Sequence, residues 1–137
     1  MDLGQEAESA FRSMASISVE TFNLLQALRS FLGESDVMAY LAMMAIRLHE
    51  LRRVLKPTGS LYLHCDPTAS HYLKIVLDGI FGASNFRNEV IWKRTSAHSS
   101  AKRWGPVHDT LLFYSKGSEC ICNKLYQPYD QTYIDAL

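Results

Sequence analysis

From Val37 to Leu55 apolar residues recur at 37, 41, 44, 48, 51 and 55, and the pattern then stops at Lys56-Pro57-Thr58-Gly59. This junction constrains the fold more than any other feature of the chain. The 4-3-4-3-4 spacing puts six side chains on one stripe of a helix about five turns long. Proline excludes helical dihedrals from the residue before it, and Gly59 supplies the turn. Directly afterwards Leu61, Leu63 and Cys65 alternate with Tyr62 and His64. That is the two-residue period of a strand, with apolar groups on both faces as a central strand requires.

The same alternation follows once more. Asp66-Pro67 reads as a helix N-cap and first-turn proline. The helix it opens carries Tyr72, Leu73, Val76, Leu77 and Ile80 inward and stops near Gly82. Val90-Ile91-Trp92 and Thr110-Leu111-Leu112-Phe113-Tyr114 are β-rich runs joined by a long polar loop. Loops of that length in compact domains are usually functional or mobile. Helix, strand, helix, strand is the pattern of an α/β sheet with helices packed against it. Ahead of it, Ala7, Phe11 and Met14, then Phe22, Leu25, Leu28 and Leu32, predict two short amphipathic helices. Gly33 breaks the second, and Asp36 is the expected N-cap of the long helix. The chain divides on this reading into a helical segment 1–36, an α/β unit 37–116, and a tail 117–137 that opens a further segment.

Charge matters here by its distribution rather than its total. Fourteen basic and fourteen acidic residues cancel. Yet Arg87, Lys93, Arg94, Lys102 and Arg103 crowd the stretch 87–103 against Glu89 alone, a local footprint suited to an anionic partner. The three cysteines, Cys65, Cys120 and Cys122, are odd in number. With no secretory signal at the start, they point to a reducing cytoplasm rather than a disulfide framework. No second Cys/His pair stands at zinc spacing from Cys120 and Cys122, so no metal is expected. No apolar run approaches the ~20 residues that span a bilayer.

Joined in order, Arg53-Val-Leu-Lys-Pro-Thr-Gly-Ser-Leu-Tyr-Leu-His-Cys-Asp66, His71-Tyr-Leu-Lys74, Phe81-Gly82, Asn88-Glu-Val-Ile-Trp-Lys93 and His108-Asp-Thr-Leu-Leu-Phe-Tyr114 carry a likeness. This succession resembles the catalytic domain of amino-group DNA methyltransferases, in the order-permuted group of restriction–modification systems. The resemblance covers about 100 residues. It implies a partial Rossmann-like methyltransferase sheet with strands near 60–65, 88–93 and 108–115, flanking helices and a helical N-terminus. The last strand should run antiparallel and lie between the other two. It also implies transfer of a methyl group from S-adenosylmethionine to adenine N6 or cytosine N4 of double-stranded DNA. Segment 1–36 resembles the family's variable insert, and 117–137 would open its target-recognition or C-terminal segment.

Two of the family's signatures are missing from these 137 residues. One is the Asp/Asn/Ser-Pro-Pro-aromatic loop. It accepts hydrogen bonds from the target amine, whose lone pair is delocalised into the ring, and stacks the base taken out of the duplex. The other is the Phe-x-Gly-x-Gly turn that lets the backbone approach the cofactor. No two of the seven glycines are two positions apart. The expectation is a fragment that binds no S-adenosylmethionine by itself and is inactive alone unless a complementing methyltransferase polypeptide supplies the missing segments. The alternative is a non-catalytic nucleic-acid-binding or interaction module that keeps the scaffold.

The candidate residues follow from strand ends and loop charges. His64 and Asp66 stand at the carboxyl end of a strand, where open α/β sheets hold ligands, and Trp92 is a candidate to line a base pocket. Together they are the candidate pocket rim. Simpler roles compete: a hydrogen-bonded strand-end histidine, a helix-capping aspartate, a core tryptophan. Lys93, Arg94, His98, Lys102 and Arg103 are the candidate DNA contacts, against the simpler reading of a solvated connector. His98, His108 and Asp109 form no hydrolase constellation, because no motif puts a nucleophile beside them. Met38, Met43 and Met44 read as core packing.

Overall fold

The computed structural model describes residues 3–95 and 102–136. Helices α1 (Leu3–Ile17), α2 (Val19–Leu32) and α3 (Asp36–Val54) come first. Strand β1 (Ser60–Cys65), helix α4 (Ser70–Phe81), a 3₁₀ turn (Ala83–Asn85) and strands β2 (Phe86–Lys93) and β3 (His108–Ser115) follow. A last short helix, α5 (Gln131–Ile134), sits in the exposed tail. The three strands form one sheet in the order β1-β3-β2, with β3 antiparallel to both neighbours. This is the placement the resemblance implied.

One apolar cluster joins the N-terminal helices to the sheet. Phe11 and Met14 of α1, Leu25 and Leu28 of α2, Leu41 and Leu48 of α3, Leu73 and Leu77 of α4 and Tyr114 of β3 are all buried in it. Gly79 lets α4 lie close to α2, since a Cβ there would come within 2.8 Å of the Leu24 side chain. The face of α3 that enters this core is rotated from the expected stripe. Met38, Leu41, Ala42, Ala45 and Leu48 are buried, while Leu51 is 44% exposed. Alanines at 42 and 45 allow a close approach that a stripe of large residues cannot make.

Helix starts differ from the sequence reading in two places. Ser35, not Asp36, caps α3: its hydroxyl accepts from the Met38 N–H at 3.2 Å. Asp36 lies in the first turn, where a carboxylate complements the helix dipole. Asp66 does cap a turn, accepting from the Thr68 and Ala69 N–H groups at 3.0 and 3.1 Å. The regular helix nevertheless starts only at Ser70.

The Lys56–Gly59 turn is held from the far end of the sheet. The Lys116 N–H donates to the Gly59 carbonyl at 2.9 Å. Lys116 Nζ donates to the Leu55 carbonyl at 2.7 Å, satisfying the end of α3 where a cation is favoured. A Cβ on Gly117 would meet the Pro57 carbonyl at 3.0 Å. The two turns are therefore packed backbone to backbone.

Strand β2 begins two residues before the expected start. Phe86 packs 5.3 Å from the Tyr114 ring, and the register slips between Phe86 and Asn88. Arg87, beside that bulge, donates to Ser115 Oγ at 2.8 Å and to the Gly117 and Ser118 carbonyls at 3.0 and 2.8 Å. The basic cluster read from the sequence thus loses one member to structure.

Candidate functional site

Register assigns the sheet two unlike faces. Leu61, Leu63 and Cys65 share one with Thr110, Leu112, Tyr114 and Phe86, and this face meets the helices. Tyr62, His64, Val90, Trp92, Asp109, Leu111 and Phe113 share the other. Tyr62 stacks on Phe113 at 4.4 Å between ring centroids with 7° between planes, yet remains 57% exposed. Trp92 is 60% exposed on the same side, so it is not the core tryptophan of the simpler reading.

At the carboxyl end of β1 an open cleft of about 490 Å³ lies between the starts of α3 and α4. Asp36, Val37 and Tyr40 line it from α3, His64, Cys65 and Asp66 from the strand end, and Thr68 and Ala69 from the turn. Two of the three expected rim residues, His64 and Asp66, come together here. Trp92 does not line it; it stands on β2, with β3 between. Burial raises the Tyr40 phenol, and pushes the Cys65 thiol up to about 11, with the nearby Asp66 charge adding to the effect. Both stay protonated at neutral pH, so Cys65 is no thiolate nucleophile.

Behind the rim, Asp109 joins three strands. Its Oδ2 lies 2.8 Å from His64 Nε2 on β1, and its Oδ1 accepts from Arg94 Nη1, just past β2, at 3.0 Å. The Arg94 hydrogen bond, then that of His64, holds the Asp109 carboxyl below the usual carboxylate range. In the sequence Asp109 stands only beside His108, with no nucleophile placed near it by any motif, and nothing local marks this contact. Its signal was positional: register sets 109 beside 111, the partner of His64.

The basic loop leaves from the same corner. The Arg94 N–H donates to the Val107 carbonyl at 2.7 Å, closing the loop's base. Lys93, Lys102 and Arg103 are exposed, while Arg94 is engaged by Asp109. His98 lies outside the described residues. Beside Arg103 stands Trp104, 97% exposed, which is not among the candidate contacts named from the sequence. An aromatic within a basic run was the available signal, since such pairs give stacking platforms for nucleic-acid bases.

Among the described residues no group of His, Cys, Asp or Glu is arranged to hold a metal ion. No described helix is long and apolar enough to cross a membrane.

A family model for DNA methylases, the N6/N4 methyltransferase family, matches residues 17–135. The chain is 33% identical over 97 residues to the type II methyltransferase M.EcaI of Enterobacter cloacae, covering 70% of this chain and 22% of that protein. It is 39% identical over 70 residues to the Mod subunit of the type III restriction–modification enzyme StyLTI of Salmonella typhimurium. That match covers 51% of this chain and 11% of the subunit. Similarity to the type II methyltransferase M.KpnI of Klebsiella pneumoniae is 31% over 90 residues, 65% of this chain and 21% of that one. The chain thus matches about a fifth or less of the length of these relatives. With most of its length matched by the family model, this chain belongs to the N6/N4 DNA methylase family.

Proposed function

We propose that these residues form the part of a restriction–modification methyltransferase that frames the target base and meets the DNA backbone. The reaction of the complete enzyme is transfer of a methyl group from S-adenosylmethionine to adenine N6 or cytosine N4 in double-stranded DNA. The observation that carries this reading is a convergence: the cleft at the carboxyl end of β1 and the basic loop 94–107 are joined through Asp109. Ligands of open α/β sheets bind at such strand ends. Lys93, Lys102 and Arg103 suit phosphate contacts, which position a duplex without reading it.

The cleft does not fit S-adenosylmethionine by itself. No glycine lines it, and one oxygen of the Asp66 carboxylate, Oδ1, already accepts from two N–H groups of its own turn. Neither the Pro-Pro-aromatic loop nor the Phe-x-Gly-x-Gly turn occurs in the 137 residues. On this reading the 137 residues are inactive by themselves, and the complete enzyme needs both segments besides them.

The test is reconstitution. The chain is mixed with a polypeptide carrying the two missing signatures from a similar methyltransferase, and transfer of labelled methyl groups to duplex DNA is measured. Transfer by the mixture and by neither part alone is expected. Duplex binding with no transfer under any complementation would favour the non-catalytic nucleic-acid-binding module instead.

A further inference from the structure

We infer that Asp109 is a positioning residue that fixes the His64 ring, leaving Nδ1 as a hydrogen-bond acceptor for an amino-group ligand in the cleft. The inference deepens the proposed function and, for the identity of the ligand, rests on it. An ionised carboxylate only accepts hydrogen bonds. A neutral imidazole facing it through Nε2 must therefore carry its proton on Nε2, which leaves the Nδ1 lone pair free to accept. The contact is 2.8 Å, and the Asp109 side chain is only 13% exposed. Arg94, on the other carboxylate oxygen at 3.0 Å, favours the ionised form and keeps the carboxylate from turning away.

His64 itself lines the cleft. Its neighbours there, Tyr40 and Cys65, are held protonated by burial and so can donate as well as accept. Asp66 Oδ1 is occupied by two backbone N–H groups. An acceptor with a fixed direction at this rim suits a ligand that brings N–H donors. The exocyclic amine of adenine or cytosine has that chemistry.

Ring-nitrogen NMR of the ¹⁵N-labelled full chain tests this at alkaline pH. The wild-type His64 ring should show the Nε2–H tautomer as its dominant form. Asp109→Ala should convert it to a mixture, while Arg94→Gln, which leaves the carboxylate in place, should retain the Nε2–H form. Circular dichroism checks that both variants are folded; should Asp109→Ala fail that check, Asp109→Asn with a native spectrum takes its place. A wild-type ring that is mainly Nδ1–H, or a tautomer unchanged in the folded Asp109 variant, overturns the inference.

A second arm adds adenosine, or purine riboside, which lacks the exocyclic amine, at millimolar concentration. Adenosine alone should move the Nδ1 resonance. A tautomer that depends on Asp109 while neither nucleoside moves Nδ1 supports the positioning role and overturns the assigned ligand. That separates failure of the cleft reading from failure of the role of Asp109.

Discussion

The phenol of Tyr114 donates to Asp78 Oδ1 at 2.5 Å, fastening the middle strand of the sheet to helix α4. Tyr114 is fully buried, with the Phe81 and Phe86 rings 5.7 and 5.3 Å away. Burial first, and the Asp78 hydrogen bond second, push its phenol far above the usual tyrosine range. Asp78 in turn pairs with Lys74 at 2.7 Å, and the Lys74 ammonium lies 4.3 Å from the centre of the Phe86 ring. The contact is a polar bolt through an apolar interface. Tyr114→Phe should keep the ring packing and lose the hydrogen bond, costing about 1–3 kcal/mol. Urea denaturation should show a lower midpoint with an unchanged slope.

The rotated face of α3 gives a paired test. Leu48 is fully buried, so Leu48→Ala should cost about 2–5 kcal/mol. Leu51, one turn further on, is 44% exposed, and its alanine variant should stay within about 0.5 kcal/mol of wild type. Thermal melts of the two variants check this. Equal losses would restore the stripe read from the sequence.

His49 makes stability depend on mild acid. It is paired with Thr21 Oγ1 at 3.0 Å, and burial, helped by Arg52, lowers its pKa. The folded state then binds fewer protons than the unfolded one in the window below the ordinary histidine value. Its contribution is complete above about pH 6.5 and is lost as pH falls through the lowered folded value. Denaturant midpoints taken between pH 7.5 and 5 should fall in the wild type and fall less in His49→Gln.

Thiol labelling should rank the cysteines. Cys122 is exposed and Cys120 partly so, while Cys65 is buried in the native state and its thiol is pushed up to about 11. At neutral pH a maleimide should modify Cys122 and Cys120 well before Cys65, as peptide mass mapping would reveal. Denaturant should remove the difference, because thiolate fraction and access both set the rate.

The loop should bind DNA without sequence preference. Changing Lys93, Lys102 and Arg103 to Gln leaves the Arg94–Asp109 contact in place and should leave the circular dichroism native, since exposed charges add little stability. Duplex binding by the wild type should be weak, with dissociation constants on the order of 10⁻⁴–10⁻⁶ M, and should fade as salt rises. Each phosphate contact removed should lower the salt slope by about 0.9. A slope unchanged in the triple variant would mean that the loop is a solvated connector.

Local patterns carried most of the fold. Helices at both ends of the Gly33 break, the strand after Gly59 and the stop at Gly82 follow from periodicity and turn residues within a few positions of one another. The antiparallel insertion of β3 is a non-local pairing that no local pattern encodes; resemblance supplied it, and the register bears it out. What only the tertiary structure decided were relations between distant residues. The facing of α3 was set by small alanines and by helices that precede it. Ser35 took the cap over Asp36 because its hydroxyl reaches the Met38 N–H. Arg87 was drawn to the 115–118 turn, and Arg94 to Asp109. Charge composition marks which residues can meet phosphate, but pairing across the sheet decides which of them remain free to do so. The His64–Asp109 contact spans 45 positions; it exists because strand register sets both side chains on one face of a sheet.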